Sequence, residues 1–185
     1  MKNRMLSIEL LDDLLVCWTA HQRVNTTDQT TRQNGMVPFC SHPMFGALLL
    51  LHDIKLPYEL RKLGFRVLMR HDIKEDTGYP LSEANTDPPA LRYVDMMTHN
   101  TWQEEMDSTP GKPIEVKLFK LIDKISTIMD YDMVTGQGEE KARQWLSYAK
   151  QLLKEVQAYY GECDTVVIAR AVIDNCNWLK NSEST

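Results

Sequence analysis

Strand signals are scarce in this chain. Alternating apolar and polar residues give way almost everywhere to helical periodicity, which sets β-rich architectures aside and predicts an all-α fold. Cysteine is sparse as well. Cys17, Cys40, Cys163 and Cys176 are scattered among apolar residues with no C-x-x-C pair, which argues against a disulfide framework and predicts reduced cysteines in a cytoplasmic protein. No long uninterrupted apolar run is present near the start: Asp12 and Asp13 break MKNRMLSIELLDDLLVCW, so neither a signal peptide nor a membrane span is expected. Surplus positive charge is missing too. A net charge of −5 leaves no general nucleic-acid footprint. An anionic ligand would need local positive charge, from a metal or from a few placed Lys and Arg side chains. Repeats, low-complexity tracts and domain linkers are absent.

What is present suits one domain. A length of 185 residues, with 43% hydrophobic and 25% charged residues, is enough for a sizeable core in a soluble globular protein. The domain is expected to span 1–185, with a core from about 5 to 180.

The first helix is expected from about Leu6 to His21, with Leu10, Leu11, Leu14, Leu15 and Trp18 on its buried side. Residues Arg23 to Ser41, polar and interrupted by Gly35 and Pro38, read as a loop. A second helix follows Pro43, and a third runs from Pro57 and carries His71 and Asp72 at its C-terminal end. A short helix carries Leu91, Val94 and Met97, and Ser108 to Pro113 read as a polar loop. The helix after Pro113 has an apolar stripe of Ile114, Leu118, Leu121, Ile122, Ile125 and Met129. Asp123 lies off that stripe, below Val116 and Phe119, so this helix is apolar on two faces and Asp123 is expected to be buried. A buried carboxylate needs a partner. Two amphipathic helices close the chain, the second through Val166, Val167, Val172 and Ile173, before a frayed tail at 181–185.

The chemistry concentrates in His71-Asp72-Ile73-Lys74-Glu75-Asp76. His42 stands upstream in Pro38-Phe39-Cys40-Ser41-His42-Pro43, and Asp123 stands downstream in Lys120-Leu121-Ile122-Asp123-Lys124. Two imidazoles and two carboxylates can close around one divalent cation. Such nitrogen and oxygen donors suit Mn, Fe, Zn or Co rather than a thiolate-bound ion. The ion would acidify bound water and neutralise a phosphoryl group under attack. Glu75 and Asp76, each four residues after a ligand, are placed to orient water or take its proton if the helix persists. His52-Asp53 resembles His71-Asp72 but is followed by Leu56 and Pro57 instead of an acidic pair, so it reads as a helix end and a loop. His99 reads as a surface residue. Arg23, Arg32, Lys74, Lys120 and Lys124 are the candidate cations for a substrate anion; of Lys120 and Lys124, at most one is expected to share Asp123's side closely.

These blocks resemble the HD superfamily of metal-dependent phosphohydrolases. Within it they are most similar to the RelA/SpoT-type hydrolase domain and the small stand-alone alarmone hydrolases. His21 matches the family's His at the end of the first helix, and Arg32 to Gly35 match its Arg-x-x-Gly. Pro38 to Pro43, His71 to Thr77 and Lys120 to Lys124 match the further blocks. The resemblance implies an HD-type helical bundle and one Mn ion held by His42, His71, Asp72 and Asp123. It implies Glu75 and Asp76 as the catalytic acids, and a nucleotide contacted by Arg32, His21, Lys120, Lys124 and the position of Thr127. It implies hydrolysis of the 3′-pyrophosphate of guanosine tetra- or pentaphosphate, with no nucleic-acid or membrane partner and with self-association left open. The sequence departs from the family at Thr127, where an Asn is usual, at Arg70, where an apolar residue is usual, and in a longer stretch between His21 and Arg32. The alternatives are a deoxynucleotidase or dNTP triphosphohydrolase, an NADPH-type nucleotide phosphatase, and a non-catalytic regulatory HD domain that binds a nucleotide.

Overall fold

The computed structural model describes residues 8–23, 31–32, 37–82, 86–129 and 139–176. Within them the fold is all-α: α1 (Ile8–Arg23), α2 (Ser41–His52), α3 (Tyr58–Leu68), α4 (Ile73–Asp76), α5 (Pro88–Met97), α6 (Trp102–Ser108), α7 (Ile114–Met129), α8 (Glu139–Tyr160) and α9 (Asp164–Asn175). A two-residue antiparallel ribbon, β1 (Thr31–Arg32) against β2 (Val37–Pro38), lies where the sequence reads as loop. The expected frayed tail at 181–185 lies outside the described residues.

Helix α7 is the central element. It packs against α2, α3 and α5 on one side and α8 and α9 on the other. That placement explains its double apolar character: Val116 and Phe119 on one face, and Leu118, Leu121, Ile122 and Ile125 on another, are all fully buried. Met129 emerges at its end and is 52% exposed, outside the expected stripe. Val167 on α9 is likewise exposed. Helix α3 approaches α2 and α7 so closely at Gly64 that a Cβ there would meet Leu50 and Phe119. Only a residue without a side chain fits.

Local chemistry sets the element ends. Asp87 caps α5 by accepting a hydrogen bond from the Ala90 amide, ahead of Pro88 and Pro89 in the first turn. Thr101 caps α6 through the Glu104 amide. Gly161 ends α8 at φ 69°, a conformation that glycine adopts without steric cost. Helix α2 begins at Ser41, earlier than expected, with Pro43 inside its first turn. A proline is tolerated there because first-turn amides have no intrahelical acceptor.

Helix α1 turns inward a face rotated from the one its leucines predict. Leu10 is buried and Leu14 packs against the core as expected, joined by Asp13, Cys17, Ala20 and His21, while Leu11, Leu15 and Trp18 are exposed. The reason is an ion pair. Buried Asp13 meets Arg70 and lies 3.3 Å from Arg66 Nε. Arg70 also donates to Thr86 Oγ1 at 3.0 Å. An apolar contact can be exchanged for another, but a buried carboxylate must keep its cation. The pair also ties the turn that carries His71 and Asp72 to α1. All four cysteines are free and buried. No helix among the described residues is long and apolar enough to cross a membrane.

Candidate metal centre

Three elements converge on one buried point. His42 comes from the first turn of α2, His71 and Asp72 from the turn between α3 and α4, and Asp123 from the middle of α7. The third helix does not run on through His71, as the sequence suggests; α3 ends at Leu68 and α4 is a single turn. That end has a use. The Leu68 carbonyl is one of the acceptors a helix terminus leaves over, and His71 Nδ1 donates to it at 2.8 Å. A carbonyl can only accept, so Nδ1 carries the hydrogen and a neutral His71 presents its lone pair at Nε2. His42 Nδ1 lies 2.7 Å from Ser126 Oγ, a hydroxyl that can accept from the ring or donate to it.

Both Nε2 atoms face the same carboxylate oxygen. Asp123 Oδ1 lies 3.0 Å from His42 Nε2 and 3.4 Å from His71 Nε2. Asp72 stands beside the group, with Oδ1 2.9 Å from His71 Nε2 and Oδ2 3.6 Å from His42 Nε2. All four residues are buried. Lone pairs and carboxylates this close need positive charge between them. Burial alone would lower the His71 pKa; the Asp72 and Asp123 carboxylates override it and hold it well above the ordinary value. Burial raises the carboxylates, but His71 pulls Asp72 well below its usual range, and Lys124 with the two imidazoles does the same for Asp123.

The donor set suits a cation. Imidazole nitrogens and carboxylate oxygens face one another inside the fold, where such a group is costly unless a positive charge is shared among them. His42, His71 and Asp123 can each offer one ligand atom within 4.8 Å of the others, so this buried cluster could hold a metal ion.

Glu75 keeps an exposed face, and its Oε1 accepts from the His99 amide at 2.9 Å. Surrounding protein raises its pKa, Asp72 adds to the rise, and Lys120 opposes it. Asp76 is half-buried at the end of α4, its amide bonded to the Asp72 carbonyl at 2.8 Å. His21 is fully buried at the end of α1, 5.1 Å ring to ring from Phe39, and neither ring nitrogen has a hydrogen-bond partner. Burial lowers its pKa, which keeps it neutral. Arg32 sits on β1, opposite Val37; its side chain, like that of Arg23, lies outside what the structure describes. Lys74 pairs with Asp95 at the surface.

Two expectations change. Lys120 and Lys124 both reach Asp123 Oδ2, at 3.7 Å and 3.1 Å, where one was expected. Glu105 draws both ammonium groups to the same place. At Thr127, the hydroxyl donates to the Asp123 carbonyl at 3.0 Å. His99 is half-buried rather than a plain surface residue; Lys112 Nζ approaches its Nε2 at 2.5 Å, and burial with Lys120 and Lys112 lowers its pKa to about 4. The decoy behaves as read. Asp53 accepts from the Thr165 amide at 2.7 Å and ties the α2 end to α9.

Ser126 and Glu105 were not found from sequence. Ser126 carries a usable signal, since it lies three residues after Asp123 on the same helix face. Glu105 carries none, because its role depends on a helix packed against another helix.

Fold and site together define an all-α protein with a buried His/Asp cluster that could hold a metal ion. In comparisons with known proteins, no family model and no curated protein matches the chain.

Proposed function

We propose that this protein is a metal-dependent nucleotide phosphohydrolase of the HD type. Its leading substrate is guanosine tetra- or pentaphosphate, cleaved at the 3′-pyrophosphate to give pyrophosphate and GDP or GTP. The observation that carries this reading is the convergence of His42, His71 and Asp123 on one buried point beside Asp72. The order of the blocks, similar to that of the alarmone hydrolases, supports the substrate.

In this reading His42, His71, Asp72 and Asp123 hold one divalent ion; the resemblance to the alarmone hydrolases implies Mn, and the donor set also suits Fe, Zn or Co. Once bound, the ion supplies a Lewis acid that acidifies water and offsets phosphoryl charge. Glu75 takes the proton of the attacking water. The His99 amide holds Oε1, which leaves Oε2 to act as base. The raised pKa of Glu75 brings it closer to neutrality, where a general base works best. Asp76 supports it from the end of the same turn. Arg32 meets the nucleotide, while His21, fully buried against Phe39, has no exposed atom to offer it. Lys120 and Lys124, both held against Asp123, keep that ligand in place beside the phosphates. The free cysteines suit action in the cytoplasm.

One observation keeps a second substrate in view. The Thr127 hydroxyl spends its hydrogen on the Asp123 carbonyl and can then only accept. It cannot replace the paired contacts of an amide side chain, so the base is read differently here, and a dNTP triphosphohydrolase is the second reading.

The test is metal analysis of the purified protein, followed by guanosine tetraphosphate, dATP, dGTP and NADPH with Mn²⁺ present. Release of pyrophosphate from guanosine tetraphosphate is expected. Triphosphate from a deoxynucleotide, with guanosine tetraphosphate untouched, would move the substrate and leave the metal reading standing. Metal bound with no turnover of any of the four would favour the non-catalytic regulatory reading.

A further inference from the structure

Glu105 is a buried carboxylate that nothing in the sequence singles out. It lies on α6, whose start is fixed by the Thr101 cap and whose end is tied by the Thr109 hydroxyl donating to the Glu105 carbonyl at 2.7 Å. Its two oxygens divide between two buried lysines. Oε1 is 3.1 Å from Lys124 Nζ, and Oε2 is 3.3 Å from Lys120 Nζ. The same two ammonium groups face Asp123 Oδ2 at 3.1 Å and 3.7 Å. Asp123 Oδ1, on the other side, faces the two imidazoles. Asp123 thus stands between a nitrogen pair on one oxygen and a lysine pair on the other.

Charge explains why a second carboxylate is needed. Lys120 and Lys124 against Asp123 alone would leave a surplus positive charge inside the fold, next to the place where a divalent cation would sit. Repulsion at that range is poorly screened in a buried site. Glu105 brings the four groups to neutrality and holds both lysines behind Asp123. Oδ1 is thereby kept turned toward His42 and His71.

We infer that Glu105 is a positioning residue of the metal centre, acting through Lys120 and Lys124 to aim and balance Asp123; the inference rests on the metal reading above. It supplies no ligand atom and takes part in no proton transfer. Its removal should weaken cation binding more than it weakens the fold. Outer partners of metal ligands typically change affinity by about 10- to 100-fold when lost.

The experiment is calorimetric titration of the purified protein with Mn²⁺, beside thermal melts, for wild type, Glu105→Gln, Glu105→Asp and the double variant Glu105→Gln/Lys124→Gln. Glu105→Gln should lose about tenfold or more in Mn²⁺ affinity. Glu105→Asp, which keeps the charge, should lose less. The double variant removes one lysine charge along with the carboxylate and should return to within about threefold of wild type. A purely structural role would make the double variant the worst of the three. Should Glu105→Gln fail to fold, the double variant carries the test, and a tenfold loss there overturns the inference. Wild type that takes up no Mn²⁺ would overturn the metal reading, and this inference with it. Wild type that binds, with Glu105→Gln binding equally well, would overturn this inference alone.

Discussion

Replacing Gly64 by alanine adds one methyl group at the crossing of the three helices that lead to the cluster. Helix α3 ends at Leu68, three residues before His71, α2 carries His42, and Phe119 on α7 lies one turn before Asp123. The new Cβ would sit 2.1 Å from Leu50 Cδ2, 2.5 Å from Phe119 Cε1 and 3.1 Å from Phe119 Cζ. Carbon atoms rest at about 3.5–4.0 Å, so the overlap exceeds an ångström on two sides. Leu50 and Phe119 are both fully buried, with no space to retreat into. Overpacking of this kind costs about 1–3 kcal/mol, and a two-sided clash belongs at the upper end. Alanine returns about 1 kcal/mol of helix propensity over glycine. The net loss is about 2 kcal/mol. In a domain of this size each kcal/mol moves the melting temperature by about 2–4 °C, so Gly64→Ala should melt about 4–8 °C lower by circular dichroism. Gly111→Ala is the control: nothing lies within 4 Å of its Cβ, and its melt should stay within about 2 °C of wild type. A Gly64→Ala protein that melts at or above wild type would refute the close crossing.

Asp72→Ala and Asp123→Ala should each abolish Mn²⁺ retention and turnover; stoichiometric Mn²⁺ in either purified variant would remove that residue from the ligand set. Glu75→Gln should keep the metal and lose about 10²-fold in kcat, because the amide has nearly the same shape but cannot take a proton. The acid limb of the wild-type pH profile should lie above the ordinary glutamate range, since Glu75 must be ionised and its pKa is raised. Activity should fall as pH falls through that raised value, and a limb that persists unchanged in Glu75→Gln would assign it to another group. Asp53→Ala should cost about 1 kcal/mol by leaving the Thr165 amide uncapped, with Mn²⁺ affinity unchanged. Burial raises the Asp53 pKa, but hydrogen bonds from Thr165 bring it below its ordinary value. The stability gap between wild type and Asp53→Ala should therefore be full above about pH 4, the unfolded aspartate range, and close as pH falls through the lower folded value.

The sequence by itself determined the helical class and the burial of Asp123. Both follow from local periodicity: a helix repeats every 3.6 residues, so Val116 and Phe119 announce a second buried face with Asp123 below them. The His52-Asp53 decoy was legible for the same local reason, as Leu56 and Pro57 stop any acidic turn from following it. Periodicity says which residues share a face, but not which face turns inward when a charge competes with a leucine stripe. Asp13 therefore faces Arg70 in the interior, while Leu11, Leu15 and Trp18 lie outside. Nor does periodicity say how far a flexible side chain reaches. Lys120 and Lys124 converge on one oxygen of Asp123 because Glu105, on a different helix, draws them there. The His71 ring is set by a carbonyl left over at the end of α3, a helix the sequence suggested would continue. Tertiary packing decided these features because each depends on groups from different elements meeting in a buried space, where unpaired charge and unsatisfied donors are too costly to leave alone.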